Sequence, residues 1–201
     1  MRKLLLAFSL LLPLAFATSL NAQQFDAAFG LGTVTAPQAS NGVPSESGGL
    51  YASFSGSYIF KHHIGFGGEF APRFKRAPYG VSSGSVFLGS IPYRPIFYDL
   101  NAVYGATSMK RKIGGDIMAG IGGEDLRFYV GGSCGFTGCT NYTSSNHLAW
   151  HFGADFRYYF KGHAFIRPEA HYYVVRNNKE FNNVNVARYA ISIGYSFTPG
   201  F

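Results

Sequence analysis

The stretch Ala149-Trp150-His151-Phe152-Gly153-Ala154-Asp155-Phe156-Arg157-Tyr158-Tyr159-Phe160, the turn Lys161-Gly162-His163, and the return Ala164-Phe165-Ile166-Arg167-Pro168-Glu169-Ala170-His171-Tyr172-Tyr173-Val174-Val175-Arg176 decide the reading of this chain. Bulky apolar side chains fall on every second residue. Trp150, Phe152, Phe156, Tyr158 and Phe160 share one face; His151, Asp155, Arg157 and Tyr159 share the other. Successive side chains of a strand point to opposite faces, so this period of two predicts an antiparallel hairpin with one apolar and one polar face. Three turn residues would set Arg157 opposite Arg167 and Asp155 opposite Glu169, with opposite charges on the diagonals.

The same pattern recurs outward from this hairpin. Strands are predicted at about 25–35, 49–60, 64–74, 94–107 and 113–130, the last broken by a bulge at Gly122-Gly123, and then at 149–160, 164–176 and 187–197. Phe60-Lys61-His62-His63-Ile64 repeats the three-residue turn. Connections alternate long and short, with residues 75–93 the longest. Eight strands in this rhythm predict an all-β, up-and-down antiparallel barrel with its short turns on one rim.

Composition selects which face points outward. Of 201 residues, 26 are Gly, 20 Phe and 14 Tyr, and only 13% are charged, which excludes a disordered chain. The apolar face is crowded with aromatics. The other face holds Gly, Ser and the charges Glu69, Arg73, Asp99, Asp116, Asp155, Arg157, Arg167, Glu169 and Arg188. Small and charged residues suit a narrow lumen, and bulky apolar ones suit lipid, so a transmembrane barrel is predicted with these nine residues as a lumen ion-pair network.

Arg2-Lys3, the apolar run Leu4–Phe16 and the small residues up to Ala22 have the layout of a signal peptide over residues 1–22, cleaved after Ala22 or after Ala17. Residues 23–201 then form the barrel domain. Loss of Arg2 and Lys3 lowers the net charge from +7 to +5. Basic residues scattered through turns of an exported chain do not suggest nucleic acid as a partner.

The last strand, Tyr189-Ala190-Ile191-Ser192-Ile193-Gly194-Tyr195-Ser196-Phe197, resembles the terminal targeting strand of small outer-membrane barrels of the OmpX/OmpA transmembrane type. Thr198-Pro199-Gly200 stand between it and the terminal Phe201. The resemblance implies integral insertion in the outer membrane of a diderm bacterium. It also implies contact with membrane lipid and lipopolysaccharide, and passage by periplasmic chaperones and the barrel-assembly machinery.

Cys134 and Cys139, in a loop of an exported chain, are read as a disulfide. Lys75, Arg76, Val86, Phe87 and Leu88 mark the longest loop as a candidate surface-binding loop, and the Asn-rich segment 177–185 reads as an exposed turn. His151 and His171, predicted inward, could join Ser192, Asp155 and Glu169 in a metal or nucleophile set. Their inward direction keeps them from lipid, so no catalytic residue, metal or cofactor is expected. The functional expectation is a structural or surface-interacting barrel, serving envelope integrity, adhesion or shielding. It is not a general porin, because eight strands enclose about enough room for side chains. A lipid A-modifying enzyme of the same fold and a soluble lipocalin-like binder of apolar ligands are the alternatives.

Overall fold

The computed structural model describes residues 24–37, 45–60, 63–83, 86–108, 110, 112–130, 133–135, 138–182 and 185–197, with backbone alone at 81–83, 86–88, 133–135 and 138–140. The expected signal peptide at 1–22 and the terminal segment 198–201 lie outside the described residues.

The strands are β1 (Gln24–Thr35), β2 (Tyr51–Phe60), β3 (Ile64–Pro72), β4 (Ala77–Ser83), β5 (Val86–Ser108), β6 (Ile113–Phe128), β7 (Ser133–Gly135), β8 (Gly138–Thr140), β9 (Thr143–Lys161), β10 (Ala164–Val175) and β11 (Val186–Ser196). Each of β1, β2, β3, β5, β6, β9, β10 and β11 pairs antiparallel with the next, and β11 returns to β1. The ring is therefore closed, and closure leaves no edge within the ring itself. Side-chain direction follows the alternation. Phe29, Phe54, Phe66, Leu100, Ile117 and Ile193 are exposed on the outside, and the charged residues are buried inside.

Three details depart from the sequence-based expectation. The segment 75–93 is largely a hairpin: β4 pairs with the upper part of β5 from Ala77↔Tyr93 to Ser83↔Val86. The lower part of β5 runs along β3, so the 23-residue strand begins well above the barrel rim. Gly122-Gly123 forms no bulge; the register runs unbroken through Asp99↔Gly122↔Ala149. The irregularity sits instead at the β9–β10 turn. Lys161 pairs with Ala164 around Gly162 (φ 55°) and His163, and Tyr159 pairs with Phe165, which leaves Phe160 as the extra residue. A positive φ at the turn is accommodated by glycine without a Cβ clash. The extra residue restores the expected parity, so Asp155 does stand opposite Glu169.

The packed lumen leaves no room for a side chain at Gly30. A Cβ at Gly30 would collide with the Ser192 and Ser53 hydroxyls and stand 3.3 Å from Glu169 Oε1. Above the barrel, β4 and the upper ends of β5, β6 and β9 continue as a wall. It encloses a small apolar core of Ala77, Tyr93, Leu126 and Phe181. The wall also carries the β7–β8 ribbon, in which the backbone sets Cys134 directly opposite Cys139. The side chains of both cysteines lie outside the described residues.

Candidate functional site: the filled lumen and the outer wall

The lumen is filled in layers, and every strand of the ring contributes to it. Nearest the short turns, Arg157 of β9 forms ion pairs with Asp26 of β1 and Asp116 of β6, and its Nε lies 3.6 Å from Asp155. Gln24 donates to Asp26 (2.7 Å), and the Phe165 ring lies 5.9 Å from the guanidinium. Arg167 of β10 comes next, 2.7 Å from Glu169 and 3.7 Å from Asp155, and it also donates to Ser55 (2.6 Å). Ser192 donates to Glu169 (2.8 Å). Above these, Arg188 of β11 pairs with Glu69 of β3. His151 and His171 stack with ring centres 5.1 Å apart and share a hydrogen bond of 3.0 Å. Tyr173 donates to Asp99 (3.0 Å) and, with Tyr51 and Phe97, forms an aromatic layer over the polar ones.

A charge withdrawn from water needs a partner at close range, and these layers supply partners from distant strands. The alternating quartet expected from the β9–β10 hairpin is only half realised. Asp155 does meet Arg167, but Arg157 turns to Asp26 and Asp116 rather than to Glu169. Arg73 lies beyond the end of β3, bridged to Tyr51, and sits at the outer rim apart from the other eight predicted lumen residues. Asp26 was absent from the predicted network, although its position between outward Phe25 and Ala27 marks it as inward. The expected bulge at Gly122-Gly123 concealed Glu124, which the unbroken register turns inward.

At the rim, loop residue Glu46 is fully buried. Burial pushes its carboxyl well above the usual range. Glu124 beside it pushes the same way, and Arg73 opposes both. Tyr51 and Tyr93 are the other titratable groups close to it. A carboxyl with a raised pKa contributes docking stability that is complete below its ordinary pKa and is lost as pH rises through the raised value. The first long loop is therefore expected to resist proteinase K better at about pH 5 than at about pH 9, relative to a pH-matched unfolded control. Glu46→Gln should flatten that difference, and an unchanged profile in the variant would remove Glu46 as its source.

The segment 177–182 is not a free turn. Asn178 donates to Glu124 (2.7 Å) and accepts from the Phe181 amide (3.0 Å). Phe181 is buried against Tyr79 and Tyr93, and Tyr79 donates to the Glu180 carbonyl (2.9 Å). Asn177 and Asn182 adopt φ of 59° and 57°, a region that Asn tolerates. Close by, Ser145, His147 and Glu180 come together. Ser145 donates to Glu180 Oε1 (2.6 Å), while His147 Nε2 lies 3.1 Å from Ser145 Oγ and 3.3 Å from Glu180 Oε2. In a nucleophile–base pair the serine proton points at imidazole and the acid holds the other ring nitrogen. Here the serine proton goes to the carboxylate, and acid and serine share one nitrogen.

Of the predicted surface-binding residues, Lys75 is exposed and Arg76 lies 3.5 Å over the Tyr129 ring. Val86, Phe87 and Leu88 form the start of β5, and their side chains lie outside the described residues. Among the described side chains above the barrel, the exposed charges are Lys75, Arg76, Arg176 and Lys179, all basic.

No family model matches the sequence, and no curated protein matches it. Solved structures do. Neisserial surface protein A is similar over 86% of this chain and 96% of its own, at 10% identity and a TM-score of 0.59. OprG of Pseudomonas aeruginosa is similar over 89% and 97%, at 13% identity and a TM-score of 0.60. Ail, the attachment invasion locus protein of Yersinia pestis, solved with the heparin analogue sucrose octasulfate, is similar over 87% and 97%, at 16% identity and a TM-score of 0.51. The chain has the fold of the small outer-membrane β-barrels. Within that class its architecture is the eight-stranded OmpX/OmpA type, carrying an added hairpin on the outer side.

Proposed function

We propose that this chain is an integral outer-membrane barrel that acts as a non-enzymatic surface-interaction element through its outer wall. The observation that carries this reading is the wall itself: β4 and the upper ends of β5, β6 and β9 rise above the apolar belt and are braced by Phe181, Tyr79 and the Arg76–Tyr129 contact. A braced surface whose described exposed charges are all basic suits an anionic partner, such as lipopolysaccharide phosphates or a sulfated glycan. The Ser145–His147–Glu180 arrangement lacks the proton direction that nucleophilic catalysis needs, which supports the non-enzymatic reading. The charged, filled lumen supports neither a pore nor a pocket for an apolar ligand. Chaperones and the barrel-assembly machinery belong to this reading as partners in transit, and cleavage of residues 1–22 as the export step.

The first test is extraction and gel mobility. The protein should leave membranes only with detergent and should change mobility in SDS when boiled, because a closed barrel keeps its hydrogen-bonded wall until heated. A soluble protein with no shift overturns the membrane reading. Replacing Lys75, Arg76, Arg176 and Lys179 by Gln should then lower cell attachment to a sulfated glycan surface without altering the gel shift, and unchanged attachment would remove the wall's role. A lipid A mass change on expression would restore the enzyme alternative. The opposed backbone positions of Cys134 and Cys139 support a disulfide in the β7–β8 ribbon, since directly paired residues stand about 4.5–5.5 Å apart, within bridging range. Alkylation before reduction should therefore add no mass, and labelling of both cysteines would exclude the bond.

A further inference from the structure

Three acceptors converge in the upper polar layer of the lumen. His171 Nε2 lies 3.7 Å from Glu69 Oε2 and 3.9 Å from Glu169 Oε1, distances too long for hydrogen bonds. The side chains of all three residues are at most 4% exposed. His171 Nε2 and Glu69 Oε2 have no hydrogen-bond partner.

The bonds behind His171 set its tautomer. Asn101 Nδ2 donates to Asp99 Oδ1 (2.6 Å), so Asn101 Oδ1 is the atom that meets His151 Nδ1 (2.7 Å). His151 must therefore carry its proton on Nδ1. Its Nε2 then accepts from His171 Nδ1–H (3.0 Å). A neutral His171 is left with a bare Nε2 lone pair aimed at two carboxylates. Such a convergence of acceptors needs a donor or a cation between them.

The charge balance points the same way. Among the described residues, the lumen below the aromatic layer holds six carboxylates (Asp26, Glu69, Asp99, Asp116, Asp155 and Glu169) against three guanidinium groups, those of Arg157, Arg167 and Arg188. Beside Glu69 and His171 lies a cavity of about 30 Å³. Two ligands each about 2.1 Å from one ion stand no more than about 4.2 Å apart, and both histidine–carboxylate separations satisfy this.

We infer that His171 Nε2, Glu69 and Glu169 hold a divalent transition-metal ion of the zinc class inside the barrel. One imidazole with carboxylate oxygens is a donor set suited to such ions. The cavity supplies space for a water as a further ligand. Outside the ligands, Arg188 on Glu69, Ser192 and Arg167 on Glu169, and the His151 bond to His171 orient the set, as outer-shell partners do in metal sites. The ion ties β3 to β10 across the lumen. This goes beyond the sequence-based expectation, which placed no metal here.

The test uses the full barrel refolded in detergent with Co²⁺ or Zn²⁺ and freed of excess metal. Elemental analysis should find about one ion per chain, and the Co²⁺ form should show visible d–d absorption. His171→Gln and Glu69→Gln should each weaken binding by at least about tenfold. His163→Asn, in the turn, should leave it unchanged. Substoichiometric metal in a wild-type protein that still shifts on heating would overturn the proposal. Retention of the Co²⁺ spectrum in His171→Gln would overturn it equally. Should the variants not fold, X-ray absorption of the wild-type metal decides. One imidazole among oxygen ligands supports the site, and two or more imidazoles assign the ion to the turn histidines.

Discussion

Arg157→Leu is expected to destabilise the barrel by about 3–5 kcal/mol, the cost of leaving buried carboxylates without their counter-ion. The guanidinium is fully buried and is shared by Asp26, Asp116 and Asp155, which come from three strands of the ring. Leucine supplies similar bulk but no charge, so three carboxylates are left to repel one another in a dry interior. The loss should appear as a lower urea midpoint for the folded barrel in detergent, and as unfolded protein on unboiled gels. Adding Asp26→Asn and Asp116→Asn to Arg157→Leu should recover part of the loss, because neutral amides do not repel. A midpoint within about 0.5 kcal/mol of wild type for Arg157→Leu alone would mean that water or a substitute cation reaches this layer, and the ion-pair account would fail.

The second large effect is expected on the outside. Ile193 of β11 is 62% exposed. Tyr189 stands above it on the same face, and Tyr195 and Phe197 stand below. Aromatic residues mark the two interfaces of a membrane barrel, so Ile193 falls near the middle of the apolar belt between them. Ile193→Arg should cost about 2–4 kcal/mol in vesicles of phosphatidylcholine, read from unfolding midpoints, because the charge must sit in hydrocarbon. The same substitution on a water-facing surface would change stability by about 0.5 kcal/mol or less. A neutral result in vesicles would therefore invert the assignment of inside and outside. The contrast with Arg157→Leu is informative: adding an arginine outside and removing one inside should both be severe, the reverse of the pattern in a soluble barrel.

The face of each residue was legible in the sequence because strand geometry is local. Every second side chain points the same way whatever the rest of the chain does. That is why the Trp150–Phe160 and Ile166–Val174 alternation led to the barrel, and why Asp155 and Glu169, close in sequence across a short turn, were placed opposite each other. It is also why Asp26 and Glu124 were legible in principle, one by simple parity and the other once no bulge was assumed between its neighbours. What only the tertiary structure decided is which inward charge meets which. Arg157 and Asp26 lie 131 residues apart, and they meet because closure and stagger of the ring bring β1, β6 and β9 around one point. The same holds for Glu69 with Arg188 and His171. The anchored segment around Asn178 and Phe181 was missed for a related reason. Its asparagines look like turn residues locally, and only the tertiary structure brings Glu124 of β6 to Asn178 and the β4–β5 aromatics Tyr79 and Tyr93 to Phe181. Strand alternation is a property of neighbouring peptides, so sequence by itself determined the wall and its two faces. The partners across the lumen are set by the shear of a closed sheet, which no single segment contains.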